Sequence, residues 1–448
     1  MRIFTDVAEA RRTILHRAPA MEAPLPPHIQ AGIRRVFGRD LTAAAVAEEI
    51  CLAVAARGDA AVRDYSTRID GVELTMFETP QADLDAASAR IAPPLRGALE
   101  RAAARIRAFH EHERHEGWQW ITPDGALGQI VRPLARVGIY VPGGTAAYPS
   151  TLLMSAIPAR VAGVREIVIT TPPHPAGVAD VILAAAAIAG VDRVFTIGGA
   201  QAIAALAYGT ESVPRVDKIV GPGNPFVSAA KRYVFGAVAI DQIAGPTETV
   251  VIADKHADPA CAAADLIAQA EHGETSSAIL LTTDASLAAA VDAEVTRQLS
   301  DLPRAEVVRA ALDANGGAVI VPTIEQAIEL ANAYAPEHLC LLVREPWQYI
   351  GLVENAGGIF LGEASPEVLG DYVAGPSHVM PTGGSARFSS AMHLGDFMRT
   401  MSVVGLAPRA ASALAADAAE IAAAEGLEGH ARAARLRMRA GAVVGGRP

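Results

Sequence analysis

Gln269, Ala270, Glu271 and His272 close a helical stretch that begins near Pro259. Residues three apart share a helix face, so Gln269 and His272 can both reach one ion. Imidazole nitrogen suits zinc, and an amide oxygen is a rare ligand beside it. The plainer alternative is a His set against the carbonyl end of a helix dipole. A second pair, Glu337-His338 within Ala335-Pro336-Glu337-His338, falls between a helix and a strand. A carboxylate beside an imidazole suits general acid–base work because His titrates near neutral pH; a helix cap with a satisfied His would read the same. A third group is Gly370-Asp371-Tyr372-Val373-Ala374-Gly375-Pro376-Ser377-His378, where Asp371 and His378 offer oxygen and nitrogen donors. It lies in a long Gly-, Pro-, Asp- and His-rich connection from Leu361 to Ser390, and loops of that length in compact domains are usually functional. Glu425 and His430 stand five apart near the C-terminus, where isolated polar residues are normally solvated. The run His110-Glu111-His112-Glu113-Arg114-His115 looks metal-rich, but His110 and His112 cannot face each other on a helix, and it reads as a solvated helix face.

Glycine-containing turns form the other set of candidates. No G-x-G-x-x-G follows a strand, so the standard dinucleotide fingerprint is missing. Gly221-Pro222-Gly223-Asn224-Pro225 follows one expected strand and opens a helix. Pro142-Gly143-Gly144 and Gly198-Gly199-Ala200-Gln201 follow two others. Open parallel sheets bind ligands outside the carboxyl ends of their strands, and three such turns in one half of the chain point to a nucleotide there; each alone also fits a plain strand–helix turn.

The elements that must position these residues change character along the chain. Val7–His16, Thr42–Ala56 (ended by Gly58-Asp59) and Asp83–His115 (split near Pro93-Pro94) read as helices, with a Pro24, Pro26, Pro27 break between the first two. From Gly128, short β-branched runs alternate with Ala-rich helical ones. Strands are expected at Val137–Val141, Glu166–Thr170, Arg193–Ile197, Lys218–Val220 and Val238–Ile240. A second series is expected at Thr249–Ala253, Ala278–Thr282, Ala318–Pro322, Leu339–Val343 and Gly358–Leu361. Helices fill most gaps, among them Ala176–Ala189, Ala200–Tyr208, Pro225–Phe235 and Pro259–His272. Continuous apolar strands alternating with helices mean parallel sheet covered on both faces. The expected fold is therefore α/β: two doubly wound, Rossmann-like parallel-sheet domains without the fingerprint, plus helical N-terminal and C-terminal segments. The expected partition is an N-terminal arm over 1–30, a helical part 31–135 joining 247–385 as one α/β domain, a second α/β domain over 136–246, and a helical tail over 386–448 that begins near Ser389.

The 448 residues are 51% apolar and 19% charged, with a net charge of −11 and a mean hydropathy of +0.25. Such a chain buries large cores and excludes wholesale disorder. An acidic surface repels nucleic acid and anionic membranes. The basic cluster Arg432, Arg435, Arg437 and Arg439 has no interleaved aromatics and reads as an exposed helix. No apolar run approaches the roughly 20 residues of a membrane span. The N-terminus, charged from the start, has no signal-peptide pattern. Cys51, Cys261 and Cys340 are widely spaced in apolar contexts and read as reduced small hydrophobes of a cytoplasmic protein.

Taken in order, longer phrases carry more. GIYVPGGTAAYPST, IGGAQAIAALAYGTESVPRVDKIVGPGNPFV, GPTETVVIAD, AQAEHG, APEHL and GDYVAGPSHVMPTGG followed by ARFSS together resemble the histidinol dehydrogenase family, from about Arg34 to Met438. The resemblance implies a cytoplasmic homodimer that oxidises L-histidinol to L-histidine through an aldehyde, the last step of histidine biosynthesis. It implies one zinc ion per subunit and two NAD per turnover, with the C-terminal segment reaching the partner's site. It places zinc on Gln269, His272, Asp371 and His430, acid–base work on Glu337 and His338, and NAD on Tyr140, Gln201 and Asn224. Substrate falls to Thr247, His338, Asp371 and Glu425 alongside the zinc ligands. Thr247 stands where the family usually has Ser, Cys340 where an acidic residue is usual, and Ser377 where Asn is frequent. The resemblance therefore also admits a paralogue that oxidises another small polar alcohol, such as a sulfonated propanediol. A zinc hydrolase would make no use of the Tyr140, Gln201 and Asn224 turns, and a non-catalytic binding protein no use of Glu337 and His338.

Overall fold

A computed structural model describes residues 1–17, 25–143, 147–175 and 177–440. Gly144 of the first glycine turn, Pro24 of the expected break and Ala176 of an expected helix lie outside the described residues, as does the side chain of Arg439. The chain forms two compact units: Met1–Glu113 with Leu134–Phe397, and Arg114–Pro133 with everything from Met398 onward.

Both expected strand series form, all within the first unit. One sheet runs Arg193–Phe195, Glu166–Thr170, Arg136–Tyr140, Lys218–Val220, Ala239–Ile240, every neighbour parallel. In chain order that is 3-2-1-4-5, the doubly wound arrangement. The other runs Gly317–Ile320, Ser277–Thr282, Glu248–Ala253, His338–Leu342, Gly358–Leu361 in the same order. A short strand that the sequence reading misses, Ile3–Phe4, adds beside Gly317–Ile320. The α/β architecture is as expected. Strand alternation sends Val251 and Leu280 into one core and Val250, Ile252, Ile279 and Leu281 into another, so both faces of this sheet are buried. Helix starts follow capping chemistry. Thr42 accepts from Ala45 N–H and Asp258 from Ala260 N–H, and Pro225 and Pro259 follow their caps at the first helical positions.

The second unit departs from the expected helical tail. Met398–Leu406 is a strand, antiparallel to Gly125–Pro133, which pairs in turn with Trp118–Thr122. Only then come the helices Pro408–Ala424 and Glu428–Ala440, packed on each other. Its apolar residues are unusually open: Trp120, Ile121, Val404 and Ile421 are each more than 60% exposed. Two further readings need correction. His110 is not solvated: it is fully buried on the apolar face of the helix Pro93–Glu111, with Nδ1 2.8 Å from Glu113 Oε2. Cys261 is exposed, whereas Cys51 and Cys340 are buried; all three are unpaired. Arg432, Arg435 and Arg437 of the basic cluster are exposed as expected, with Arg435 bound to Glu428 at 2.8 Å. Among the described residues no helix is long and apolar enough to cross a membrane.

Phe195 closes the third strand of the first sheet, is fully buried, and belongs to the core that also holds Ile50, Val54 and Leu206. Phe195→Ala should lower unfolding free energy by about 3–5 kcal/mol at unchanged m-value in urea denaturation. A loss within the roughly 0.5 kcal/mol typical of a surface position would show that this core closes without it.

Candidate active site

Glu337 and His338 open the strand His338–Leu342, and Thr247 and Glu248 open its neighbour Glu248–Ala253. All four therefore stand at the amino ends of the sheet. The helix Pro259–Ala270 runs back to the same end, where Gln269 is 1% exposed. The helix stops at Ala270, and His272 follows in a turn closed by its own N–H on Gln269 O at 3.3 Å. The long connection after Leu361 returns through Glu367–Leu369 and a helical turn, Gly370–Ala374, that carries Asp371.

Glu337 is buried, and burial lifts its carboxyl above the usual range. Its Oε2 accepts from Glu248 N–H at 3.0 Å and from the Thr247 hydroxyl. His338 is 3% exposed. Its Nδ1 lies 3.3 Å from Glu248 O and its Nε2 3.2 Å from Asp371 Oδ1, so both ring nitrogens face acceptors. Burial works against charge on the ring, but the carboxylates of Glu337, Glu367 and Asp371 outweigh it and raise His338 to about 10. Asp371 is held below its usual range: burial opposes this, and the His338 hydrogen bond with the His338, His378 and His272 imidazoles overcomes it. His272 is solvent-exposed, yet the protein packed around it keeps the ring below the ordinary histidine range. That favours the neutral imidazole a metal ion requires.

Thr247 Oγ1 sits between Glu337 Oε2 and the Gln269 amide. Donors meet acceptors when the amide oxygen of Gln269 faces Glu248 N–H, at 2.6 Å, and its nitrogen faces Glu367 Oε1, at 3.3 Å. Glu367 is the residue that sequence reasoning misses. It is 2% exposed, accepts from Thr249 Oγ1 at 2.7 Å, and burial pushes it up to about 7. Its only sequence signal is a carboxylate following Pro366, four residues before Asp371. His378 is brought to the cluster but is already committed. Its Nδ1 lies 2.7 Å from the Asp371 carbonyl and its Nε2 3.1 Å from Thr151 Oγ1, so it fixes the loop rather than offering a free nitrogen. Ser377 is likewise internal, donating to Met154 O at 3.1 Å.

Tyr140, Gln201 and Asn224 stand at or just beyond carboxyl ends of strands in the other sheet. Tyr140 Oη accepts from Gly199 N–H at 3.2 Å, and Gln201 Nε2 donates to Asp70 Oδ2 at 3.1 Å. Asn224 Oδ1 is occupied as the cap of the following helix, bonded to Phe226 and Val227 N–H. The Gly221 turn is clamped from beneath. Lys231 Nζ donates to Gly221 O at 2.9 Å, Asp241 accepts from Gly221 N–H at 2.7 Å, and Lys231 pairs with Asp241. A Cβ on Gly221, whose φ is +107°, would meet Tyr140 O at 2.3 Å, so only glycine fits.

The structure thus brings Thr247, Gln269, His272, Glu337, His338 and Asp371 into one neighbourhood of the first unit. Glu425, which caps the helix Pro408–Ala424, and His430, in the helix Glu428–Ala440, belong to the second unit, and both are exposed. Among the described residues no three His, Cys, Asp or Glu side chains are grouped to hold a metal ion. The first unit supplies one imidazole, one carboxylate and one amide, a nitrogen–oxygen donor set that suits zinc.

Comparison with known proteins agrees across the chain. The family model described as histidinol dehydrogenase matches residues 36–438. A histidinol dehydrogenase of Deinococcus radiodurans is 50% identical over 96% of this chain and 99% of its own length. One of Thermus thermophilus is 53% identical over 90% and 97%. The crystal structure of histidinol dehydrogenase from Elizabethkingia anophelis superposes with a TM-score of 0.88 at 33% identity, covering 98% of this chain and 97% of that one. The chain belongs to the histidinol dehydrogenase family.

Proposed function

We propose that the protein oxidises L-histidinol to L-histidine through the aldehyde, as the last step of histidine biosynthesis, passing two hydrides to two NAD. The observation that carries this reading is the buried Glu337–His338 pair, with His338 against Asp371 and Glu337 joined to Gln269 through the Thr247 hydroxyl. One zinc ion per subunit would be held by Gln269, His272, Asp371 and His430 of the partner subunit. When bound, it would polarise the substrate oxygen and fix the amine and imidazole of histidinol. NAD, when bound at Tyr140, Gln201 and Asn224, supplies the hydride acceptor.

The chain's own groups do the proton work. In its neutral form, with Nε2 free of Asp371, His338 would take the alcohol proton at Nε2 as hydride leaves the carbon. Glu337 is pinned through Oε2 by Thr247 and Glu248, and burial raises its carboxyl above the usual range, which makes its carboxylate form a stronger base toward water. It would activate water on the aldehyde, and His338, having first passed the alcohol proton to solvent, would take a second proton when the hydrate gives up its second hydride. Thr247, Asp371 and Glu425 would hold the substrate. The exposed apolar residues of the second unit favour association into a homodimer. Three unpaired cysteines fit a reducing cytoplasm.

NADH yield tests the reaction: L-histidinol should give two NADH per molecule, and other small polar alcohols little. Turnover of another alcohol with none of histidinol would replace the proposed substrate by that alcohol. The two acid–base residues should separate by step. Glu337→Gln should impair aldehyde oxidation more than alcohol oxidation, whereas His338→Asn should slow both by about 10²–10⁴-fold. Equal sensitivity of both half-reactions to Glu337→Gln would contradict its role with water. Sharing of the site is tested by mixing His272→Asn, expected to lose zinc by elemental analysis, with His430→Asn. A mixed dimer then has one site with both lesions and one with none, so subunit exchange should restore up to half the activity. No recovery despite exchange seen by native mass spectrometry would return His430 to its own chain's site.

A further inference from the structure

The proposed dinucleotide turns have a neighbour from the N-terminal helices. Asp70 ends the helical turn Ser66–Asp70 and is followed by Gly71 at φ +70°. It is partly buried, and burial raises its carboxyl to about 6. One carboxylate oxygen accepts from Gln201 Nε2 at 3.1 Å; the other takes no hydrogen bond from a described residue. Gln201 is fully buried, and its Oε1 has no partner among the described residues. A Cβ on Gly199 would stand 2.7 Å from that oxygen, so the glycine turn lies directly against it. Tyr140 Oη already accepts from Gly199 N–H, which leaves its own proton to give.

This corner offers acceptors: a carboxylate oxygen and an orphaned amide oxygen. A phosphate brought here would face Asp70 and be repelled, whereas a ligand fragment rich in hydroxyl donors would satisfy both oxygens. In dinucleotide sites an acidic side chain reads the ribose diol in this way, and a 2′-phosphate on that ribose cannot be accommodated. We propose that Asp70, held in place by Gln201, binds the hydroxyls of the adenosine ribose and is the residue that selects NAD over NADP. The inference rests on the reading of the Tyr140, Gln201 and Asn224 turns as the NAD site.

Fluorescence titration of the full-length protein with NADH and with NADPH tests it without turnover. Wild type should bind NADH and bind NADPH far more weakly. Asp70→Asn and Asp70→Ser should each weaken NADH by about tenfold or more, the scale of a lost charged hydrogen bond. Both should also bind NADPH more tightly, because the like charge is gone. Merely structural damage weakens both nucleotides together and leaves their ratio unchanged, and that result would overturn the assignment; so would a wild type that binds NADPH as well as NADH. Wild type binding neither nucleotide would instead remove the dinucleotide reading of these turns, and the inference with it.

Discussion

Burying carboxylates around a single imidazole is the constraint on which this molecule turns. Glu248, Glu337 and Glu367 are each less than 10% exposed, and Asp371 touches the same His338. Uncompensated, such a group would cost several kcal/mol per charge. Compensation comes from far along the chain. Arg17 pairs with Glu248 and lies over the Tyr334 ring at 3.5 Å, and burial still pushes Glu248 up to about 7. Nearer the start of the chain, Ile3–Phe4 joins the sheet edge and the N-terminal amine pairs with Asp292.

The two parallel sheets share one strand order but present their chemistry at opposite ends. Tyr140, the Gly198-Gly199 turn and the Gly221 turn follow the usual rule and cluster beyond strand carboxyl ends. Thr247, Glu337 and His338 break it, standing where strands begin. The reason is visible in the helix Pro259–Ala270, which follows its strand and runs antiparallel to it. Its last turn brings Gln269 and then His272 back to the amino ends. The Leu361–Ser390 connection does the same for Asp371. A site at amino ends gives up helix N-termini, which suit phosphates, for helix C-termini and buried side chains, which suit cations.

Where physical signals were strong, the sequence carried the fold. Short apolar runs, most of them buried on both faces, put all ten strands of the two series within a residue or two of their observed bounds. Met398–Leu406 was invisible for the converse reason: most of it is exposed, so no apolar run marks it, and its pairing to Gly125–Pro133 is long-range. His110 was misread because charged neighbours hid its i−4 and i−7 partners, Ile106 and Ala103, which place it on the buried face. Within the site, pairs in sequence were legible and lone residues were not. Glu337-His338 and Gln269…His272 announce themselves by adjacency or helical spacing. Glu367 and Asp70 are single carboxylates placed by contacts far along the chain, among them Gln269 at 98 residues and Gln201 at 131.

The departures from the usual family pattern follow from the same electrostatics. Thr247 keeps the hydroxyl that joins Glu337 to the Gln269 amide, and only its methyl is new. Ser377 faces the backbone of Met154 and Val379, away from any proposed ligand. Cys340 is the informative one. Its sulfur lies 3.8 Å from Glu367 Oε2, in a fully buried position where desolvation and that carboxylate together hold the thiol well above its usual range and therefore neutral. An acidic side chain at 340 would place a second negative charge against Glu367, and one of the two would have to carry a proton. With Cys340 there, Glu367 is spared that repulsion and faces the Gln269 amide nitrogen with burial, chiefly, raising its carboxyl. Cys340 thus bears on the charge of the carboxylate that faces the Gln269 amide nitrogen.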